Sequence, residues 1–308
     1  MSSPTQRDTT PSLPSGAPLA AVGALLINAL VWGLSWWPFR ELQALGLHPL
    51  WATGGVYLLS LIVMLAFRPQ TLKECAGHAA LWLLALVAGL TNIGFNWAVS
   101  IGDVVRVVLL FYLMPAWSLL LAWPLLGERP TVSGLLRLAL ALAGVVVVLD
   151  PGTGGWPLPQ GAADWLALGA GFCFAFTNIL LRKLEQVPPW ARVLAMFGGG
   201  LVIASATAAA GWGAGLLPPP LLPAAGVLLA LMLGLAFLGG NIALQYGAAR
   251  LPAAATSLIM LSEVVFASLS SVALGAADFS PRIALGAGLI LLAALWACLP
   301  ARPRQATQ

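Results

Sequence analysis

Residues 104–126, VVRVVLLFYLMPAWSLLLAWPLL, and residues 252–275, PAAATSLIMLSEVVFASLSSVALG, are both apolar for longer than the roughly 20 residues a helix needs to cross a hydrocarbon layer. Each carries one disturbance near mid-depth, Pro115 in the first and Glu263 in the second. Outward from these two stretches, the chain divides at Pro, Gly and charge breaks into further apolar runs of similar length. They cover 18–39, 49–67, 78–99 and 132–149 in the first half, and 161–181, 190–211, 222–248 and 282–299 in the second. The expected fold is an all-α integral membrane protein of ten transmembrane helices. Composition agrees: 60% of the 308 residues are apolar and 8% charged, against about 25% charged in soluble domains. A soluble fold is excluded.

The 14 Lys and Arg residues lie singly in loops and form no patch, so they give no reason to expect a nucleic-acid partner. They do set an orientation, because basic loops stay cytoplasmic. With the N-terminus inside, only Arg40, Arg106 and Arg282 of those 14 fall outside, so both termini are expected in the cytoplasm, as an even span count requires. Cys75, Cys173 and Cys298 are odd in number and far apart, with no CxxC spacing, and indicate neither a disulfide framework nor a metal site. No cofactor is expected. The first apolar run lacks a basic lead and a small-residue cleavage site and reads as a retained helix. Residues 1–17 and 300–308 read as cytoplasmic tails, the first flexible and rich in Ser, Thr, Pro and Gly, and 150–160 as an extracytoplasmic linker.

The two halves align. Trp32-Gly33-Leu34-Ser35 through Arg40 fall on Phe174-Ala175-Phe176-Thr177 through Arg182, 142 positions on. Asn96-Trp97-Ala98 through Gly102 fall on Asn241-Ile242-Ala243 through Gly247, 145 on, and Met114-Pro115-Ala116-Trp117 on Glu263-Val264-Val265-Phe266, 149 on. Five is odd, so a second five-helix copy inserts upside down, giving inverted-topology repeats over 18–149 and 161–299 and a site near the membrane midplane, as in many secondary transporters.

These residues carry a resemblance. Val31-Trp32-Gly33, the Asn-Trp-Ala and Asn-Ile-Ala ends of spans three and eight, and the Leu126-Gly127-Glu128-Arg129-Pro130-Thr131 turn are similar to the EamA repeat of the drug/metabolite transporter superfamily. Tryptophan richness and overall layout resemble its YddG-type aromatic amino-acid exporters. The resemblance implies export of small amphipathic solutes, aromatic or other apolar amino acids among them, from a bacterial-type inner membrane, with a proton as the family-type coupling ion. The second half departs from the pattern, reading Gly275-Ala276-Ala277-Asp278 at the turn, and no role is carried over to that position.

An ionisable group at mid-membrane costs about 2.5–3.5 kcal/mol on insertion scales and is a functional hypothesis by default. Glu263, roughly 16 Å into span nine at 1.5 Å per residue, reads as the only such acid: a coupling group or the partner of a substrate amine, or else packing glue between helices. Pro115 removes a donor and collides with the carbonyl of Phe111, so a kink, hinge or freed carbonyl is expected there. On span three, His78, Trp82, Ala85, Gly89, Asn92 and Asn96 share one helical face. That polar, aromatic stripe faces a central cavity or bonds to neighbouring helices. Asn241 and Gln245 form a related stripe on span eight. Trp32, Trp36, Trp82, Trp97 and Trp165, with Tyr112 and Asn178, complete the candidate substrate-binding set, whereas the tryptophans at span ends suit an interfacial belt. Arg106 is expected to snorkel to the interface, or to pair with Asp103 or a carboxylate.

Three function classes remain. A secondary transporter of a small-molecule solute leads. A lipid-modifying membrane enzyme would gather acids, histidines or nucleophiles at one depth, and the two histidines, His48 and His78, fall on opposite sides. A channel would show charge rings or a filter loop, which the sequence lacks, although a passive facilitator reads like a coupled exporter.

Overall fold

The structure, a computed structural model, describes residues 17–298 except 76, 128–130, 151–157, 222–223, 249, 252–255, 257–258 and 277–279. Nearly all of both tails, most of the 150–160 linker, Glu128, Arg129, Pro130 and Asp278, and much of 252–258 lie outside the described residues.

The described elements are all helical: α1 (Ala17–Leu34), α2 (Trp36–Ala44), α3 (Pro49–Phe67), α4 (Thr71–Cys75), α5 (Ala80–Ile101), α6 (Val104–Phe111), α7 (Met114–Leu126), α8 (Val132–Leu149), α9 (Ala162–Lys183), α10 (Pro189–Gly213), α11 (Ala224–Ala248), α12 (Ser262–Ala273) and α13 (Pro281–Cys298). Among the described residues, eight runs are long and apolar enough to cross a membrane, counting α1 with α2 and α6 with α7 as single runs; Ser262–Ala273 and Pro281–Ala293 are shorter apolar helices. Helix starts follow local chemistry. Asp103 and Thr131 accept from the backbone N–H three residues on, and His48 Nδ1 accepts from Leu50 N. An Nδ1 that accepts is unprotonated, and partial burial lowers the His48 pKa in the same sense. Gly127 and Gly275, at φ 72° and 65°, end α7 and α12 in the left-handed conformation that glycine tolerates best.

Three apolar runs are broken. Between α6 and α7 the break falls at Tyr112–Leu113, where Pro115 cannot donate to the Phe111 carbonyl. A matching break at Leu261 precedes α12, 149 positions on from Tyr112, without a proline; there Ser262 Oγ donates to the Ile259 carbonyl at 2.6 Å. The third corrects the first span, which runs to Ala44 and not to 39: it breaks at Ser35, where Pro38 cannot bond the Leu34 carbonyl and Ser35 Oγ donates to Trp32 O at 2.8 Å.

The packing links the halves. α1 lies against α11 and α12, α9 against α5, α6 and α7, α10 against α3 and α5, and α8 against α13. The largest apolar cluster surrounds α6, which is buried on nearly every side. Gly171 of α9 sits under the break of its neighbour: a Cβ there would lie 2.6 Å from the Phe111 carbonyl oxygen, a backbone atom that cannot swing aside. Gly171→Ala should therefore destabilise the protein by about 1–3 kcal/mol, the usual range for overpacking, read as a lowered unfolding midpoint in detergent; an unchanged midpoint would mean that α6 and α9 separate freely.

Candidate functional site

The breaks at Tyr112 and Leu261 meet. Tyr112, at the first, lies 3.0 Å from Glu263 Oε2 and 3.2 Å from the Met260 carbonyl oxygen at the second. Tyr112 and Glu263 are both buried. The tyrosine hydroxyl has one proton to give, and the Met260 carbonyl can only accept. Tyr112 can therefore donate to Glu263 and leave Met260, or donate to Met260 while a protonated Glu263 donates to Tyr112. The two contacts exist together only in the second arrangement, so gain or loss of one proton at Glu263 is tied to the hydrogen bonding of a carbonyl at a helix break.

Tyr112 also forms the deep end of a cavity of about 300 Å³ between α7, α8, α9 and α13. Its walls are mainly Ala, Leu and Ile with Ser118 and Asn178, and it extends to Gly134, Arg137 and Arg182 at one end of the bundle. An apolar chamber with a few polar groups suits a small amphipathic molecule.

The opposite end is closed by charge. Arg106 forms a two-point pair with Asp164, Nε to Oδ1 at 2.9 Å and Nη2 to Oδ2 at 2.8 Å, and its Nη1 donates to the Val148 carbonyl at 2.6 Å. Gln160 N donates to the same carboxylate at 2.9 Å. One guanidinium thus joins α6, α8 and α9. Arg40 donates to the carbonyls of Val99, Gly102 and Ala276, and Trp36 Nε1 donates to Ser270 Oγ at 3.0 Å.

Of the sequence-derived set, the structure brings Tyr112, Asn178 and Glu263 to this region, with Pro115 in the first turn of α7. Trp36 lies at the closed end. Trp32 stacks on Phe237 at 4.4 Å between α1 and α11, and Trp97 meets His48 edge-on at 5.2 Å. Asn96 is fully buried and donates to Thr53 Oγ1, Asn92 Nδ2 lies beside Gly200, and Gln245 donates to Asn241. The α5 stripe is therefore directed largely at α3 and α10, because close approach of Ala85 and Gly89 to Gly199 brings α10 onto that face. Trp82 and Trp165 lie outside the Tyr112 cavity: they are 81% and 64% exposed in the first turns of α5 and α9, and Trp82 lines a separate surface pocket with His78. At the ends of spans, large aromatic rings stand outward at the interface.

Arg106 does not snorkel; it is held by Asp164, a buried acid in the first turn of α9. Asp164 could have been singled out as an acid inside the first turn of span six, but its arginine partner lies 58 positions away. Ser270 carries no signal in the sequence.

Residues 19–150 match the EamA-like transporter family. A crystal structure of another protein aligns over 92% of this chain and 97% of its own, at 19% identity and a TM-score of 0.59, a likeness of fold extending well beyond the EamA-like half. No curated protein matches the sequence. The EamA-like segment contains Tyr112, Arg106 and the first broken span, whereas Glu263, Asp164 and Asn178 come from the remainder of the chain.

Proposed function

We propose that this protein is a secondary transporter of the bacterial-type inner membrane that exports small amphipathic metabolites, foremost aromatic or other apolar amino acids, by alternating access. The observation that carries the reading is the Tyr112–Glu263 contact, which joins two broken spans beside a cavity. Breaks of this kind at mid-membrane are tolerated where they line a solute pathway or are buried in protein. The EamA-like match of the first half supports a solute transporter.

Ten spans in two inverted units, 18–149 and 161–299, belong to the same reading. Its support is the packing. Exchanging the halves turns the pairing of span one with spans eight and nine into that of span six with spans three and four, and both sets of contacts occur. The basic residues orient the Arg137 and Arg182 end, where the cavity extends, toward the cytoplasm, the side from which an exporter loads. Reporter fusions to the C-terminus should accordingly behave as cytoplasmic. Glu263 is the group proposed to couple transport to a proton.

Asn178→Trp tests the pathway by filling the cavity from α9. Overpacking of about 1–3 kcal/mol in the solute-bound state corresponds to roughly 5- to 150-fold slower flux. Wild-type flux through a well-folded Asn178→Trp protein would remove this cavity from the pathway. Trp82→Ala and Trp165→Ala should spare the preference between aromatic and aliphatic solutes, since both rings stand outside the cavity.

A further inference from the structure

The repeat offsets allow each end of the bundle to be compared with its counterpart, and the two ends differ. At the outer end Trp36 is 3% exposed and bonded to Ser270, and Ala267 and Ser271 beside it on α12 are 1% and 0% exposed. Their counterparts, 142 positions on from Trp36 and 149 back from Ala267 and Ser271, are Asn178, Ser118 and Ala122, and all three line the cavity at the inner end. The same contact surface is shut at one end and parted at the other.

Arg40 completes the shut end. Its fork donates to the carbonyl of Val99 in the last turn of α5, which has no donor within the helix, and to that of Gly102 just past it, and reaches the Ala276 carbonyl beyond α12. Three elements, α2, α5 and the end of α12, meet on one guanidinium, whose planar set of donors suits several acceptors at once. The residue 142 positions on from Arg40 is Arg182, also an arginine, and it lines the cavity at the inner end.

We infer that Arg40 and Arg182 are reciprocal gate latches: Arg40 holds the outer end shut in the conformation described, and Arg182 serves the inner end when that end shuts and the outer end opens. The inference rests on the proposed inverted repeat and orientation. Arg106–Asp164 stays outside the exchange, since the residue 149 positions on from Arg106 is Ala255 and the one 142 back from Asp164 is Val22, neither of them charged.

Thiol accessibility tests the latch without requiring a known solute. With the three native cysteines replaced by Ser, Ser271→Cys reports on the outer end and Ser118→Cys on the inner, each labelled by a membrane-impermeant maleimide in right-side-out and in inside-out vesicles. Arg40→Met should raise external labelling at position 271 by about tenfold or more, the weight of one lost charge-assisted hydrogen bond, and lower internal labelling at 118. Arg182→Met should do the opposite at both positions. Arg40→Lys, which keeps the charge but not the fork, should fall between wild type and Arg40→Met, and separates latch loss from misfolding, as does an unchanged gel-filtration profile. Labelling that ignores both arginines, or that both substitutions shift in the same direction, would overturn the latch. Labelling of position 118 from outside would instead overturn the orientation on which it rests.

Discussion

Asp164→Ala should lower the stability of the folded protein by up to about 3 kcal/mol, because it leaves a partly buried guanidinium without its carboxylate. Arg106 would keep its bond to the Val148 carbonyl but lose both contacts to Asp164, and α9 would lose its tie to α6 and α8. The check is the thermal unfolding midpoint in detergent, followed by tryptophan fluorescence. Replacing both partners, Arg106→Met with Asp164→Leu, should recover much of the loss, since a buried pair exchanged for apolar groups of similar size is often neutral. A single variant as stable as wild type would mean that the pair is solvated in the working protein.

The second large effect is functional. Glu263→Gln should abolish the response of transport to an imposed pH gradient while solute exchange at equal pH continues. The amide keeps the shape of the side chain and can donate to Tyr112 as a protonated carboxyl would, so the hydroxyl remains directed to Met260. What the amide cannot do is release the proton and draw the Tyr112 hydrogen bond away from Met260. Tyr112→Phe breaks the arrangement differently, leaving the Glu263 carboxyl and the Met260 carbonyl without their common partner, a loss of about 1–3 kcal/mol. It should slow exchange as well as pH-driven transport. A Glu263→Gln protein with wild-type pH dependence would eliminate Glu263 as the coupling group and leave facilitated diffusion as the better reading.

Helix positions were legible because lipid leaves the chain few alternatives: every backbone donor must be satisfied within a span, and hydropathy marks where spans lie. The break before Pro115 was legible for the same reason, since a missing N–H is visible in the sequence. The break at Leu261 was not. It is held by a serine hydroxyl bonded to a carbonyl three residues back, a contact that serines make in many unbroken helices. The break at Ser35 lay within reach of the same rule, as Pro38 shows, but the Trp- and Phe-rich run around it reads as uninterrupted apolar sequence.

The site was legible one residue at a time and obscure as an assembly. Depth alone singled out Glu263, yet periodicity says which residues share a helical face and not which neighbour that face meets. Asn92 and Asn96 illustrate the gap: they share a face with Ala85 and Gly89, and that face is met by α3 and α10, with Asn96 bonded to Thr53 43 positions away. Trp82 and Trp165 fall outside the Tyr112 cavity for a related reason, since the exposure of a ring in the first turn of a helix depends on the neighbouring helix ends. The pairing of Arg106 with Asp164 joins residues 58 positions apart, on either side of the linker, and follows only once the helices are packed.

The most direct measurement is counterflow in proteoliposomes. Purified protein is reconstituted, the vesicles are loaded with one unlabelled amino acid from a panel of aromatic, aliphatic and charged types, and uptake of a trace of the labelled compound is followed. The account predicts transient accumulation for aromatic or other apolar amino acids, none for strongly charged ones, and its loss in Asn178→Trp. Absence of counterflow for every amphipathic solute tested, from protein that labels normally at positions 118 and 271, would contradict it.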